Sequence, residues 1–512
     1  MPVAVDRLWT YFRCLMRPSL LLILGCVIGQ RDLWSQCSDG SPPPCTRPLR
    51  PPPPNSVAVL YFDNLSRDTA DAYLADGLTE EIIVRLGQIQ RLEVKSRYEV
   101  QRFRGKPGGD PVTLGEQLHA ANIVTGSLQK AGNHVRVRVE LVRAASRSRV
   151  WGDVFDRSSD DVLSIEEEIA TAVVQGVAGQ LLPGERTTLA RRPTRNAEAY
   201  DLYLRGRALL ARLDNPSLHR AIALFEQAFA IDSGFASAQA GLSWAWEELA
   251  DVFEAPRASY PLARSAALRA IRADSMDPEA WASLAGVVFY FDWAPARAES
   301  LARRAAAIEP RSAFAHLVNG GALITLGSVD EGTKELQLTF DLDSMSDNTL
   351  GETVGGLMYA RRYELAVTLA RRFQHALPNS LVGYGAEAGV YLTLGDCGRA
   401  TPLLARLRPM GDSLWVSFAL LHCQGEDEAA RRLIVSFIRE REQSRQYFRA
   451  GDIARLYLLL GDRDQAIDWL ERAVEAREGG LASLSIAPQW DRMRNDPRFE
   501  DLVRQIVPQV VQ

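Results

Sequence analysis

The chain has 512 residues, of which 46% are hydrophobic and 24% are charged, and its formal net charge is -5 at pH 7. This length exceeds what a single hydrophobic core supports, so two or three folding units are expected. The composition is that of a globular protein, and the negative net charge argues against a general binder of nucleic acid.

Residues 1–30 have the pattern of an export signal or a membrane anchor. Arg7, Arg13 and Arg17 precede an uncharged run at 19–30. A basic start followed by a short apolar run is typical of a secretion signal, and the run is short for a membrane span of about 20 residues. With this charge distribution, the N-terminus would stay inside and the rest would be exported.

The sequence leaves the fate of this leader open. Residues 1–30 are cleaved, retained as an anchor or lipidated at Cys26, and translation starts at Met1 or at Met16. Residues 31–55 are rich in proline, which fixes the backbone in an extended form, so they predict a semi-rigid linker.

Residues 56–182 predict a small α/β domain. The uninterrupted apolar run at 57–62 is typical of a buried strand, and Leu74, Leu78, Ile82 and Leu86 recur at the four-residue spacing of an amphipathic helix. The predicted strands are 57–62, 92–94, 123–129, 134–142 and 149–155, and the predicted helices are 72–86, 111–121 and 164–182.

Four blocks of this region occur in an order and spacing that resemble the TolB N-terminal-like α/β domain. The blocks read SVAVLYFDNLS, YLADGLTEEII, ANIVTGSLQKAGNHVRVRVELVRAASRSRVWGDVFDR and IEEEIATAVV. In bacterial regulators of this kind, the resemblance implies a membrane span before the domain and tetratricopeptide (TPR) repeats after it. The cytoplasmic part of such relatives is a kinase, a nucleotide cyclase or a DNA-binding domain. We expect no such effector here, because about thirty residues before the linker are too few to fold alone.

A 34-residue period dominates the rest of the chain. Small residues recur at Ala298, Gly332, Ala366 and Ala400, each 34 positions after the last. This period is the length of one helix-turn-helix unit that buries its apolar face only by stacking on its neighbours. The pattern resembles that of TPR repeats.

These observations predict an α+β chain, in which the small α/β domain precedes an all-α TPR solenoid. The expected boundaries are a linker at 183–197, an array of about eight helix pairs at 198–478 and a C-terminal cap at 479–512, which would cover the last repeat.

The array offers a candidate partner-binding strip on the first helix of successive units. Gly286, Gly321, Gly355 and Gly389 occupy equivalent positions, and Tyr359 lies one turn after Gly355. Glycine inside a helix costs about 0.5–1 kcal/mol relative to alanine, so four of them indicate close approach of neighbouring helices or of a bound chain. Lys and Asn do not occupy the positions that bind acidic peptide tails in relatives.

No catalytic, metal or cofactor motif stands out. The sequence lacks a phosphate-binding GxxxxGK[ST] loop, HExxH and GxSxG, and its six histidines are scattered. We therefore expect a non-catalytic protein-interaction scaffold or sensory module without a cofactor, on the periplasmic side of a bacterial envelope. Its partner would be a protein or peptide in the concave groove. The alternative is a cytoplasmic signalling component that partners a separate cyclase, kinase or transcription regulator.

Overall fold

The structure is a computed structural model that describes residues 51–105, 109–250, 252–408 and 414–506. The predicted signal or anchor at 1–30 and most of the predicted linker at 31–55 therefore lie outside the described residues. Everything below concerns the compact unit that begins at Pro52.

The N-terminal part is a mixed sheet. Its strands are β1 (Ser56–Val59), β2 (Asp63–Asn64), β3 (Glu93–Val94), β4 (Asn122–Ala131), β5 (His134–Arg143) and β6 (Ser148–Ser158). The order is β3-β1-β4-β5-β6, with β2 also paired to β4. β1 pairs in parallel with β3 and β4, whereas β4, β5 and β6 form an antiparallel meander. Every residue of β1 is buried, and β5 alternates between buried and exposed residues.

The helices of this part are α1 (Ala72–Gly87), α2 (Arg97–Gln101), α3 (Pro111–Leu118), α4 (Val162–Ala178) and α5 (Pro183–Leu189). α1 and α4 pack against each other and against the sheet. α5 lies inside the segment 183–197, which was predicted to be a linker. Pro183 at its first turn lacks an N–H that would be unsatisfied there anyway, so it is compatible with the start of this helix. The preceding helix α4 ends earlier than the predicted residue 182, at Ala178.

The rest of the described chain is helical. The helices are α6 (Ala197–Leu210), α7 (Asn215–Ile231), α8 (Ala236–Leu249), α9 (Pro256–Ala273), α10 (Pro278–Tyr290), α11 (Pro295–Ile308), α12 (Ala313–Thr325), α13 (Val329–Leu342), α14 (Asp347–Tyr359), α15 (Tyr363–Ala376), α16 (Val382–Thr393), α17 (Cys397–Arg406), α18 (Leu414–Cys423), α19 (Asp427–Ser444), α20 (Ala450–Leu459), α21 (Arg463–Ala476) and α22 (Pro497–Ile506). Up to α21 they form helix pairs, so the chain is α+β with a long helical array after a small mixed sheet.

The small residues that recur every 34 positions occupy one structural position. Ala298, Gly332, Ala366 and Ala400 are each the fourth residue of the second helix of a pair. All four are buried. At Gly332 a β-carbon would stand 2.6 Å from Ile324 Cγ1 and 2.7 Å from the carbonyl oxygen of Gly320, so the two helices of that pair approach too closely for alanine. The predicted packing role of these small residues is confirmed.

The sheet and the first two helix pairs of the array share one hydrophobic core. Arg85 of α1 donates hydrogen bonds to the carbonyl oxygens of Leu189 and Arg191 and pairs with Glu166 at 3.3 Å. The hydroxyl of Tyr200, on α6, donates to the other oxygen of Glu166 at 2.5 Å. The segment between the two parts is therefore fixed by buried polar contacts.

Within the described residues, no helix is both long enough and apolar enough to span a membrane.

Candidate functional site

The first helices of the pairs form the inner face of the array. From the second pair to the sixth, α8, α10, α12, α14 and α16 each pack against the next, whereas the second helices approach one another much less closely. The array therefore curves with the first helices inside. The curvature is strong, because the hydroxyl of Tyr290 on α10 donates to Glu352 Oε2 on α14 at 3.4 Å, past the whole intervening pair.

The four candidate glycines divide into two groups. A β-carbon at Gly286 would stand 2.4 Å from Glu247 Oε2, and one at Gly321 would stand 3.2 Å from the ring of Phe289. Internal packing therefore accounts for these two positions. Gly355 and Gly389 have no atom within 4 Å of such a β-carbon, so the space beside them is open.

Each glycine is followed one turn later by a residue that ends the first helix or lies near its end. These residues are Tyr290, Thr325, Tyr359 and Thr393. We call the face formed by the four glycines and these four residues the inner strip. Tyr359, the remaining sequence candidate, is half-buried and packs against the hydrophobic cluster that joins the third and fourth pairs to the C-terminal helices.

The C-terminal part of the chain contacts this strip at Thr325, and the sequence pattern does not predict this contact. We call residues 477–494 the C-terminal segment; it contains two 3₁₀ turns, Gly479–Ser483 and Pro488–Met493. The indole N–H of Trp293, in the turn between α10 and α11, donates to the carbonyl oxygen of Glu478 at 3.2 Å. The guanidinium of Arg477 lies 4.6 Å from the ring centroid of Trp293 and donates to the carbonyl oxygen of Phe291 at 3.1 Å.

Further contacts follow along the next two pairs. The hydroxyls of Thr325 and Ser483 are 2.8 Å apart, and Ile486 packs against the hydrophobic cluster of the fourth and fifth pairs. Arg361, in the turn after α14, binds both carboxylate oxygens of Asp491, each at 2.8 Å. The predicted cap at 479–512 therefore does more than cover the last repeat, because it also bridges the last pair to the third, fourth and fifth.

Two of the residues that bind the C-terminal segment have left-handed backbones. Trp293, Gly327, Arg361 and Gly395 have φ of 56°, 92°, 57° and 73° and recur every 34 residues at the turn between the two helices of a pair. Glycine adopts this conformation without penalty, whereas other residues cost of order 1 kcal/mol. Trp293 and Arg361 therefore carry a backbone cost that Gly327 and Gly395 avoid.

The inner face is acidic near the second and third pairs. Burial raises the pKa of Glu247 well above its usual range, and its hydrogen bonds to Ser283 and Ser243 do not offset the effect. Burial also raises the pKa of Glu248, which accepts a hydrogen bond from the indole N–H of Trp244 at 2.8 Å.

A disulfide lies in the array. Cys397, at the start of α17, is bonded to Cys423, at the end of α18, and the bond links the sixth pair to the seventh. Among the described residues, no group of three or more His, Cys, Asp or Glu side chains has the arrangement of a metal site.

No protein-family model matches the chain. A curated relative, the putative adenylate cyclase 3 of Rhizobium meliloti (strain 1021), is 30% identical over 201 residues. This stretch covers 39% of the present chain and 33% of the relative, so the chain spans about a third of the relative's length.

Solved structures similar to this chain are repeat proteins with low sequence identity. A thermophilic TPR protein of Thermus thermophilus is 17% identical, with a TM-score of 0.33, and the match covers 38% of this chain and 99% of that one. Yeast Tom70 is 13% identical, with a TM-score of 0.36 and coverage of 68% and 82%. Because these scores are below 0.5, the description of the array rests on the periodicity and packing of this chain itself.

Proposed function

We propose that this protein is a non-catalytic interaction scaffold that binds a segment of a protein partner along the inner strip. The observation that carries the proposal is the open space beside Gly355 and Gly389, on first helices that face the inside of the curve. Gly355 and Gly389 leave the helix backbone accessible in the fifth and sixth pairs. The equivalent glycines of the third and fourth pairs are covered by side chains of the protein itself. Helical arrays of this kind bind ligands on such concave surfaces.

The test is replacement of Gly355 and Gly389 by leucine, followed by quantitative capture of partners with the full-length chain. Leucine fills the open space, and helix propensity favours it over glycine by up to about 1 kcal/mol, so folding should be preserved. We expect captured partner to fall at least tenfold. Gly398→Leu, on the second helix of the sixth pair, is the matched control that should leave capture unchanged. Equal capture by all variants would reject the strip.

We also propose export, with the array on the periplasmic side and attached to the membrane or secreted. Two observations support it: the basic and then apolar pattern of residues 1–30 and the disulfide within the array. Disulfides persist in oxidising compartments and are rare in the cytosol. An alkaline phosphatase fusion after Pro54 should be active in cells; an inactive fusion of normal abundance would reject export.

The cytoplasmic alternative has one observation in its favour. The relative that matches 201 residues carries the name of a putative adenylate cyclase, which favours a signalling role with a separate cyclase as the partner. An inactive phosphatase fusion, together with co-purification of a cyclase, would select this alternative.

We further infer that residues 56–182 are a TolB N-terminal-like domain. The four sequence blocks that carry the resemblance extend from β1 to α4, and they enclose the parallel β1–β4 pair and the antiparallel meander after it. An experimental structure of the protein tests this inference by superposition on a TolB N-terminal domain, and a TM-score below 0.5 would reject it.

A further inference from the structure

The Cys397–Cys423 disulfide lies on the edge of the array that carries the turns between the two helices of each pair. Cys397 follows the turn of the sixth pair, and Cys423 precedes the turn of the seventh. On the same edge, the C-terminal segment contacts the turn residues Trp293 of the third pair and Arg361 of the fifth. These pairs are thus joined to the segment by noncovalent contacts, whereas the sixth pair is joined to the seventh by a covalent bond.

The joint that this bond spans is more sparsely packed than the joint before it. Among the described residues, α16 and α18 approach each other much less closely than α14 and α16 do. α17 also packs less extensively on α18 than α15 packs on α16. α17 has ten residues, and Pro402 inside it removes one of its backbone hydrogen bonds. The disulfide therefore holds a joint that helix packing alone supports weakly.

The buried residues of this joint form a hydrophobic cluster of their own. All of them come from α16, α17, α18 and Leu407. On α16 they include Ala388 and Tyr391, which flank Gly389 of the inner strip. α18 also contributes Phe418 to the separate hydrophobic cluster that contains the eighth pair and the C-terminal helices. Opening of the joint would therefore leave that second cluster in place and disturb the helix that carries Gly389.

Both cysteines are accessible from solvent. Each is half-buried, and each lies beside exposed residues, at 394–395 and 398–399 for Cys397 and at 424–428 for Cys423. The rate of thiol–disulfide exchange depends on access of the attacking thiolate to a sulfur atom. The folded protein therefore presents this bond to a reductant without prior unfolding.

We propose that this disulfide is a redox latch: a dithiol reductant opens the joint between the sixth and seventh pairs and thereby loosens the inner strip at Gly389. One thiolate of the dithiol attacks a sulfur atom and forms a mixed disulfide, and the second thiol then releases the protein by closing the dithiol's own disulfide. Two electrons and two protons pass to the protein, which ends with two cysteine thiols. The latch does not depend on the proposed function, because it is defined by the order of α16 and not by a partner.

The test is amide hydrogen exchange of the full-length chain before and after reduction with dithiothreitol under native conditions. We expect complete reduction without denaturant, and exchange in α16, α17 and α18 about tenfold faster than in the oxidised protein, because local opening exposes their amides. Exchange in α20 and α21, which belong to the other cluster, should change less than about twofold. Reoxidation should restore the original rates.

The double variant Cys397→Ser with Cys423→Ser is the control. It should exchange like the reduced wild type, and dithiothreitol should not change it further, which separates the latch from effects of the reductant on the other four cysteines. If this variant does not fold, the cycle of reduction and reoxidation of the wild type decides alone.

Three results would overturn the proposal. The first is a bond that dithiothreitol reduces only after urea has unfolded the protein. The second is complete reduction with unchanged exchange in α16, α17 and α18. The third is equal acceleration of exchange throughout the array, which would make the bond a structural crosslink of the whole fold and not a latch on one joint.

Discussion

Arg361 and Asp491 form a two-pronged ion pair across 130 residues of sequence, with both hydrogen bonds at 2.8 Å. This pair ties the turn of the fifth helix pair to the C-terminal segment. It therefore fixes the C-terminal end of the array to its middle.

We expect charge reversal at this pair to loosen the closure. Arg361→Glu should raise the rate of amide exchange in the C-terminal segment, and the double variant with Asp491→Arg should restore it. The pair is exposed, so the coupling energy in a double-mutant cycle should be about 0.2–1 kcal/mol and should fall with added salt. A cycle that gives no coupling at low salt would mean that the pair does not hold the segment.

Replacing Arg85 should lower the free energy of unfolding much more than replacing Arg361. Its side chain is 7% exposed, and that of Glu166 is fully buried, so Arg85→Met leaves a buried carboxylate without its cation. Such losses cost about 3–5 kcal/mol. Arg192→Met is the matched control. Arg192 pairs at 3.2 Å with Glu167, which lies next to Glu166 on α4, but the side chain of Arg192 is 40% exposed. Urea unfolding of both variants checks this, and equal losses would contradict the assigned burial.

His316 and Glu335 predict a pH dependence. Burial lowers the pKa of His316, but its hydrogen bonds to Glu335 and to the carbonyl oxygen of Pro310 outweigh this and raise the pKa overall. The hydrogen bond to His316 lowers the pKa of Glu335. The histidine's contribution is therefore complete below its unfolded pKa of about 6.5 and is lost as pH rises through its folded pKa. The glutamate's contribution is present above about 4.5 and is lost as pH falls.

Thermal unfolding between pH 5 and 9 tests this assignment. The wild type should lose more stability than His316→Gln as the pH rises above about 6.5. Parallel curves for the two proteins would show that the pair does not titrate as described.

The disulfide predicts a redox dependence of stability. Cys397 and Cys423 are 26 positions apart in the sequence, and loop-closure entropy for a loop of this length gives about 3.5 kcal/mol. Cys397→Ser with Cys423→Ser should lower the free energy of unfolding by this order under oxidising conditions and change nothing under reducing ones. A wild type that is equally stable with and without reductant would contradict the bond.

The array was largely predictable because its period repeats a local requirement. The third to sixth pairs each bury a small residue at the fourth position of the second helix, namely Ala298, Gly332, Ala366 and Ala400. The sheet was also predictable, since the alternation of β5 reports burial of one face. The first strand is shorter than expected, because the apolar run at 57–62 ends its ladder at Val59.

The return of the C-terminal segment was not predictable from periodicity. Its contacts join residues more than 100 positions apart, such as Trp293 with Glu478, and such pairs leave no local pattern. The pairing of Cys397 with Cys423 was likewise not predictable from a sequence pattern. For the candidate site, the sequence placed four glycines on one face, but only the packing separates Gly286 and Gly321 from the open Gly355 and Gly389.

Site-specific photo-crosslinking in living cells tests the central claim most directly. A photoreactive residue replaces Gly389 on the inner strip, and a second protein carries it at Leu338, an exposed position on α13. The account predicts a discrete protein adduct at position 389 and no such adduct at position 338. An adduct at 338 but not at 389, or equal adducts at both positions, would contradict it.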